Sequence, residues 1–557
     1  MKTSFVSVVS SLAVAALAMP PKQVPPPLEM PASFTALSTI GQSTFQQLLN
    51  HSNPSLGTFS QTYWYNSEFW KGPGSPVVLF TPGEIAAAGY TGYLTNETIT
   101  GAYAQAVGGA TVLIEHRYWG TSSPYTYLDT EALQLLTLEQ AISDLVYFAK
   151  TIDLPFDTNH SSNAQNAPWV LSGGSYSGAL SAWTESVEPG TFWAYHSSSA
   201  PVEAIYDYWQ YFYPVQQGMP QNCSADVTLV IDHIDQVLTT GTEDEIYALK
   251  KSFGLEALEH NDDFASILQN GPWSWQENAF YTDYSTFFQF CDAVENAVPG
   301  STTSTPATGV GLEKALAGYA NWVNTTVIPG NCQSYGYSNE YDVSCFDTYN
   351  TSNTYYTDYT VGNPWDRQWN WFLCNQPFAY WQDGAPEGIP TIVSRLVTAE
   401  YWQRQCPLLF PEVNGYTYGS ANPSINVGTV NKYTKGWELD NTTRLIWTNG
   451  EFDPWRSSGV SSQFRPGGPL PSTPQHPLQI IPGGFHCSDL ILYNGVVNSG
   501  VQTVIDNEVK QIVELLNPYK TQGSDTPAIQ LRSNTYSKAY ERARPTRTGR
   551  PRLLNDL

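Results

Sequence analysis

Short unbroken runs of apolar and β-branched residues recur along this chain, and little else so narrows the folds open to it. They are Val77-Val78-Leu79-Phe80, Thr111-Val112-Leu113-Ile114, Trp169-Val170-Leu171, Arg444-Leu445-Ile446-Trp447 and Leu478-Gln479-Ile480-Ile481. Runs apolar on consecutive residues suit strands buried on both faces, the condition inside a parallel sheet covered by helices. Helical periodicity follows several of them. Leu138, Ala141, Ile142, Leu145 and Phe148 fall on one helical face, as do Val501, Val504, Ile505, Ile512 and Leu516. Strands alternating with helices predict a doubly wound, mostly parallel α/β sheet. The 41% of hydrophobic residues are enough for a large core.

The middle of the chain reads differently. Between about residues 203 and 387 strand signals are sparse, while helix-like stretches occur at Val227–Leu238, Glu243–Phe253 and Leu312–Val323. That segment is expected to be an inserted, mostly helical cap over one edge of the sheet. Acidic residues outnumber basic ones 50 to 25. Seven of the basic residues lie in the last 26 positions, so the body is more acidic still. Such a surface repels phosphate backbones, which excludes nucleic acid as an expected partner, and it suits an acidic medium.

The chemistry is written most plainly at Gly173-Gly174-Ser175-Tyr176-Ser177-Gly178, where a strand runs through a glycine-rich turn into a helix. This is the setting of a nucleophile elbow, in which a sharp turn lifts a serine out of the sheet. Ser177 stands where the usual G-x-S-x-G pattern has its second glycine. Two further residues come in the order α/β-hydrolases require, each just past an expected strand: Asp453 in Asn-Gly-Glu-Phe-Asp-Pro-Trp and His486 in Gly-Gly-Phe-His-Cys-Ser-Asp. The 278 residues from Ser175 to Asp453 leave room for the cap, and the 33 from Asp453 to His486 suit one helix and one strand. In that arrangement Ser175 is the nucleophile, His486 the base and Asp453 its orienting carboxylate. The backbone amide of Tyr176 is one expected oxyanion donor. Gly83, in the loop after an early strand, is the candidate for the second.

These segments, with Phe-Thr-Pro-Gly-Glu (80–84), Glu-His-Arg-Tyr-Trp-Gly (115–120) and Leu-Thr-Leu-Glu-Gln-Ala (136–141), resemble the Pro-Xaa carboxypeptidase family of serine peptidases. That family includes lysosomal Pro-Xaa carboxypeptidase and dipeptidyl peptidase II, and the likeness is strongest to its branch of fungal secreted acid prolyl endopeptidases. It covers roughly residues 42 to 518. The resemblance implies an α/β-hydrolase that cleaves proline-containing peptides or proteins after proline, with Trp455 stacking on the proline ring and Glu84 in the substrate site. A buried core tryptophan is the plainer alternative for Trp455. An exopeptidase, or an esterase on the same fold, stays open, as does a non-catalytic binding protein. Glu115, His116 and Arg117 are expected to hold a loop by ion pairing. An acid working range would ask His486 for a depressed pKa.

The expected division is a signal peptide (1–18), a Pro-rich pro-segment (19–41), a first hydrolase part (42–202), the cap (203–387), a second hydrolase part (388–521) and a disordered basic tail (522–557). The signal reading rests on Lys2, the apolar stretch from Phe5 to Leu17 and the Ala16-Leu17-Ala18 cleavage pattern. It implies a secreted protein, or one in a vacuolar or lysosome-like acidic compartment, with no membrane association once mature. Glycosylation acceptors stand at Asn50, Asn96, Asn159, Asn222, Asn324, Asn350 and Asn441. Seven cysteines in an oxidising compartment allow three disulfides and one thiol. Proximity in sequence suggests Cys374 with Cys406 and Cys332 with Cys345, which leaves Cys223 with Cys291 to tie the cap. Cys487 would then be free. No cofactor is expected, and with no CxxC pair no metal site. Oligomeric state is left open.

Overall fold

The computed structural model of the chain describes residues 24–30, 38–282, 284–297 and 305–521. The signal peptide and the basic tail therefore lie outside the described residues. Strands β1 (Ile40–Leu48), β2 (Thr58–Asn66), β3 (Val77–Phe80), β4 (Ala110–Ile114), β5 (Trp169–Gly174), β6 (Ala194–Ser198), β9 (Leu445–Gly450) and β10 (Leu478–Ile481) form one sheet. Their order is β1-β2-β4-β3-β5-β6-β9-β10. The first two pairings, β1 with β2 and β2 with β4, are antiparallel, and all the others are parallel. This is the doubly wound α/β-hydrolase architecture.

Alternation along the central strands explains why the sheet is covered twice. Val77 and Leu79 join one apolar cluster with Leu138, Ile142 and Leu145 of α2 (Leu138–Thr151). Val78 and Phe80 point the other way, into a second cluster with Tyr103 of α1 (Ile99–Val107) and Val501, Ile505 and Ile512 of the helix Ser499–Thr521. All four β3 side chains are buried, as a strand with two dry faces requires.

After β6 the chain passes through β7 (Ile205–Asp207) into a helical excursion that includes Gln221–Thr240, Glu243–Ser252, Leu312–Trp322 and Arg367–Asn375. It returns through β8 (Ala379–Trp381), which pairs in parallel with β7. Val227, Ile231 and Leu249 of this excursion share the first apolar cluster with the sheet, so cap and sheet have a common core. Disulfides Cys223–Cys291, Cys332–Cys345 and Cys374–Cys406 all fall in or just after it, and Cys487 is a buried thiol. Among the described residues no helix is long and apolar enough to cross a membrane.

The described part of the Pro-rich lead, residues 24–30, forms no regular element, but it is fastened to the helical segment Ala87–Leu94. Tyr90 and Tyr93 donate hydroxyl bonds to the carbonyls of Pro25 and Pro26 (2.9 and 2.8 Å), and Gly92 N donates to Leu28 O (2.7 Å). Pro25 and Met30 are buried. Of the seven acceptor asparagines, Asn159 and Asn441 are exposed and the rest are partly so. Asn324 Nδ2 already donates to the carbonyls of Ser252 and Ala320.

Candidate active site

Ser175 sits between β5 and α3 (Tyr176–Val187) at φ 62° and ψ −130°. That backbone region costs a non-glycine residue on the order of 1–3 kcal/mol and persists only where neighbours over-determine it. Here they do. Ser175 N donates to Ser198 O at 2.9 Å, and Ser177 Oγ bonds both the carbonyl and the amide of Gly174 (2.7 and 3.0 Å). The serine in place of the usual glycine thus laces the turn with its own hydroxyl. Gly178 cannot be enlarged, because a Cβ there would lie 2.6 Å from Ser198 O.

The three residues picked out by order converge. His486 Nε2 lies 2.7 Å from Ser175 Oγ, and its Nδ1 lies 2.9 Å from Asp453 Oδ1. The same Asp453 oxygen accepts the amide of Trp455 at 3.0 Å, so the carboxylate caps the turn Pro454–Ser458 while it faces the imidazole. Asp453 and Ser175 are fully buried, and His486 is 7% exposed. A hydroxyl so placed can hand its proton to Nε2 as Oγ attacks a carbonyl carbon, and the imidazole can return it to the leaving group.

His486 does not have the depressed pKa expected of it. Burial lowers it, but Cys487 and Asp453 carry it well above 6.5. The Cys487 part of that pull requires a thiolate, and burial pushes the Cys487 thiol above 9.0. In acid, therefore, the contest is between burial pulling down and Asp453 pulling up.

The oxyanion candidates flank Ser175. Tyr176 is the first residue of α3, so its amide has no carbonyl one turn back in the helix. Gly83 stands at φ 82°, and a Cβ there would meet Tyr176 Cδ1 at 2.9 Å, so only glycine lets this loop approach the elbow. Its amide donates to Thr81 Oγ1 at 3.2 Å and would have to exchange that acceptor for an oxyanion. Glu84, next in the loop, is buried, and its charge adds to burial in raising the Tyr176 phenol.

Trp455 is 1% exposed and ringed by aromatics. Tyr208, Tyr211 and Tyr380 lie at centroid distances of 5.6, 5.2 and 5.4 Å, and Nε1 donates to Gln276 Oε1 at 2.7 Å. Sequence reasoning missed these four partners because they come from the cap and its exit, far from Trp455 along the chain. Trp275 also bridges the cap to both loops: Nε1 donates to Phe452 O, and its ring packs on Phe485 at 5.2 Å.

Glu115, His116 and Arg117 do hold loops, though by separate means. Glu115 accepts from Thr121 N, Ser122 Oγ and Ala87 N. Arg117 pairs with Asp144 through two bonds of 2.7 and 2.6 Å. His116 Nε2 lies 3.2 Å from Tyr176 OH, and burial lowers its pKa to about 4.

Comparison with known proteins fits this geometry. The family model described as serine carboxypeptidase S28 matches residues 46–495. Serine protease vicPa of Bipolaris victoriae is 42% identical over 92% of this chain and 95% of its own, and vicPb of the same fungus is 40% identical over 91% and 94%. A probable extracellular serine carboxypeptidase of Arthroderma benhamiae is 31% identical over 72% of this chain and 56% of its own. The chain belongs to the serine carboxypeptidase S28 family. It is a serine-type peptidase, and as an S28 member its substrates are peptides.

Proposed function

We propose that this S28 peptidase hydrolyses the bond on the carboxyl side of proline through an acyl-enzyme on Ser175, as a secreted acid prolyl endopeptidase. Ser175 Oγ attacks, His486 takes and returns the proton, and Asp453 holds the imidazole. The amide of Tyr176, with that of Gly83, receives the oxyanion.

One observation carries the specificity: Trp455 is set two residues beyond Asp453 and walled by Tyr208, Tyr211 and Tyr380. A proline ring is compact, apolar and without an N–H, so flat aromatic surface suits it, whereas a charged side chain there would be desolvated without a partner. Glu84 belongs to the same substrate site. Secretion is supported by the three disulfides and by the extracellular description of one relative.

The family's description favours a second mode, cleavage next to a terminus. A long peptide with one internal proline, blocked at both ends, separates the two. Two internal fragments ending and beginning at the proline bond support endopeptidase action. No cutting of the blocked peptide, with cutting of its unblocked form, assigns an exopeptidase.

A further inference from the structure

A second group of ionisable side chains lies beneath the active-site turn, and no catalytic step uses it. His196, at the centre of β6, is fully buried, as are Asp489 and Glu508. Asp489 follows His486 by three residues on the same turn, and Glu508 projects from the helix Ser499–Thr521. His196 Nε2 faces Asp489 Oδ2 at 3.4 Å and Glu508 Oε1 at 3.5 Å. Each group also meets a hydroxyl, which for Glu508 bonds the same oxygen that faces His196. Ser172 Oγ lies 3.0 Å from His196 Nδ1, Ser198 Oγ donates to Asp489 Oδ1 at 2.6 Å, and Thr448 Oγ1 donates to Glu508 Oε1. His196 Nε2, Asp489 Oδ2 and Glu508 Oε2 have no hydrogen-bond partner.

Two carboxyl groups and one imidazole in an apolar core are neutral together only when they hold two protons among them. One proton makes the imidazolium, and the other neutralises a carboxylate. Every proton lost leaves a net negative charge sealed from water, where it is costly. The other titratable groups facing the cluster are Tyr103 of α1, whose ring meets that of His196 edge-on at 5.5 Å, Tyr93 and Cys487. Among the described residues, no lysine or arginine is among the leading charges acting on His196 or Glu508.

We propose that His196, Asp489 and Glu508 form a buried proton-holding clamp that positions the His486 turn by binding it to β6, β9 and the C-terminal helix, and that the clamp is full in acid. They are positioning residues, since none touches Ser175, Asp453 or His486 in the hydrogen bonds above. The proposal rests on His486 being the base, but its stability arm does not.

The electrostatics run in the required direction. Burial lowers the His196 pKa, but the charges of Asp489 and Glu508, facing it at 3.4 and 3.5 Å, outweigh that and raise it to about 9. Burial and then Asp489 raise Glu508 above 4.5. Both folded values exceed the unfolded ones. The clamp's contribution is therefore complete below about pH 4.5 and is lost as pH rises through the raised values of Glu508 and of His196, the latter about 9.

The test compares wild type, Glu508→Gln and Asp489→Asn by melting temperature from pH 4 to 9 and by kcat and KM on one peptide. In wild type the melting temperature should fall as pH rises. Glu508→Gln should flatten that fall by removing the Glu508 proton, and Asp489→Asn by removing a charge that helps hold the His196 proton. Asp489→Asn should also lower kcat about tenfold or more with KM little changed, the signature of a displaced base. Should Asp489→Asn not fold, the slope of Glu508→Gln decides alone. Melting curves of the variants that run parallel to wild type overturn the clamp. So does a stoichiometric divalent metal found in wild type by elemental mass spectrometry, because ligands on one ion would stand at similar spacing. If instead the melting slopes flatten but kcat does not move, the cluster stabilises the fold without positioning the base.

Discussion

Ser177 bonds Gly174 at both its carbonyl and its amide, so the turn that strains Ser175 is held by its own neighbour. Ser177→Ala should therefore cost about 1 kcal/mol of stability, the worth of an ordinary buried hydrogen bond, and lower kcat more than it raises KM. Ser175→Ala removes only the attacking oxygen. It should melt with wild type and lose roughly a millionfold in turnover, since triad members act as a unit. Any serine other than Ser175 labelled by a phosphonylating inhibitor would remove the basis of the mechanism. These residues were legible before the fold because a nucleophile elbow must be glycine-rich and local. The Gln276 and tyrosine partners of Trp455 were not legible, because no local pattern reports contacts across hundreds of residues.

Among the elements, the strands buried on both faces announced themselves: β3, β4, β5 and β9 all begin on apolar runs, and the edge strand β10, only partly buried, falls on one as well. The antiparallel pair β1 and β2 went unread. Ile40–Leu48 is rich in glutamine, its side chains alternate between more and less exposed positions, and its pairing with β2 is a property of the sheet's edge. β6 was missed too, because Ala-Tyr-His-Ser-Ser places a buried histidine and two serines where an apolar run is expected. That polar strand makes sense only with the elbow and the Asp489 turn beside it. Between elements, Arg117 joins the loop after β4 to α2 through Asp144, with both side chains buried. Arg117→Ala leaves the buried Asp144 carboxylate with His51 Nε2 at 2.8 Å as its remaining side-chain partner and should cost about 3 kcal/mol, read as a lower midpoint in denaturant at unchanged slope.

For the molecule as a whole, acidity reaches beyond net charge. Burial raises Glu203 to about 7 and Asp263 to about 6, and burial with Asp207 nearby raises Asp383 to about 10. The folded values lie above the unfolded ones, so these protons stabilise the fold below about pH 4 and their contribution is lost as pH rises toward 6, 7 and 10 in turn. Unfolding followed calorimetrically should show the highest melting temperature in acid and a steady fall toward pH 8, and a maximum at or above pH 7 would contradict that balance. A body that prefers acid agrees with the secreted acid peptidase proposed above. The central claim is that Trp455 builds a proline pocket rather than only filling the core. The measurement that tests it is kcat/KM for a prolyl and an alanyl peptide, otherwise identical, on wild type and Trp455→Ala. The pocket predicts a loss of about 2 to 4 kcal/mol in transition-state binding for the prolyl peptide and a clearly smaller loss for the alanyl one. Equal losses on the two peptides would make Trp455 a core residue and leave the proposed proline preference without a structural basis.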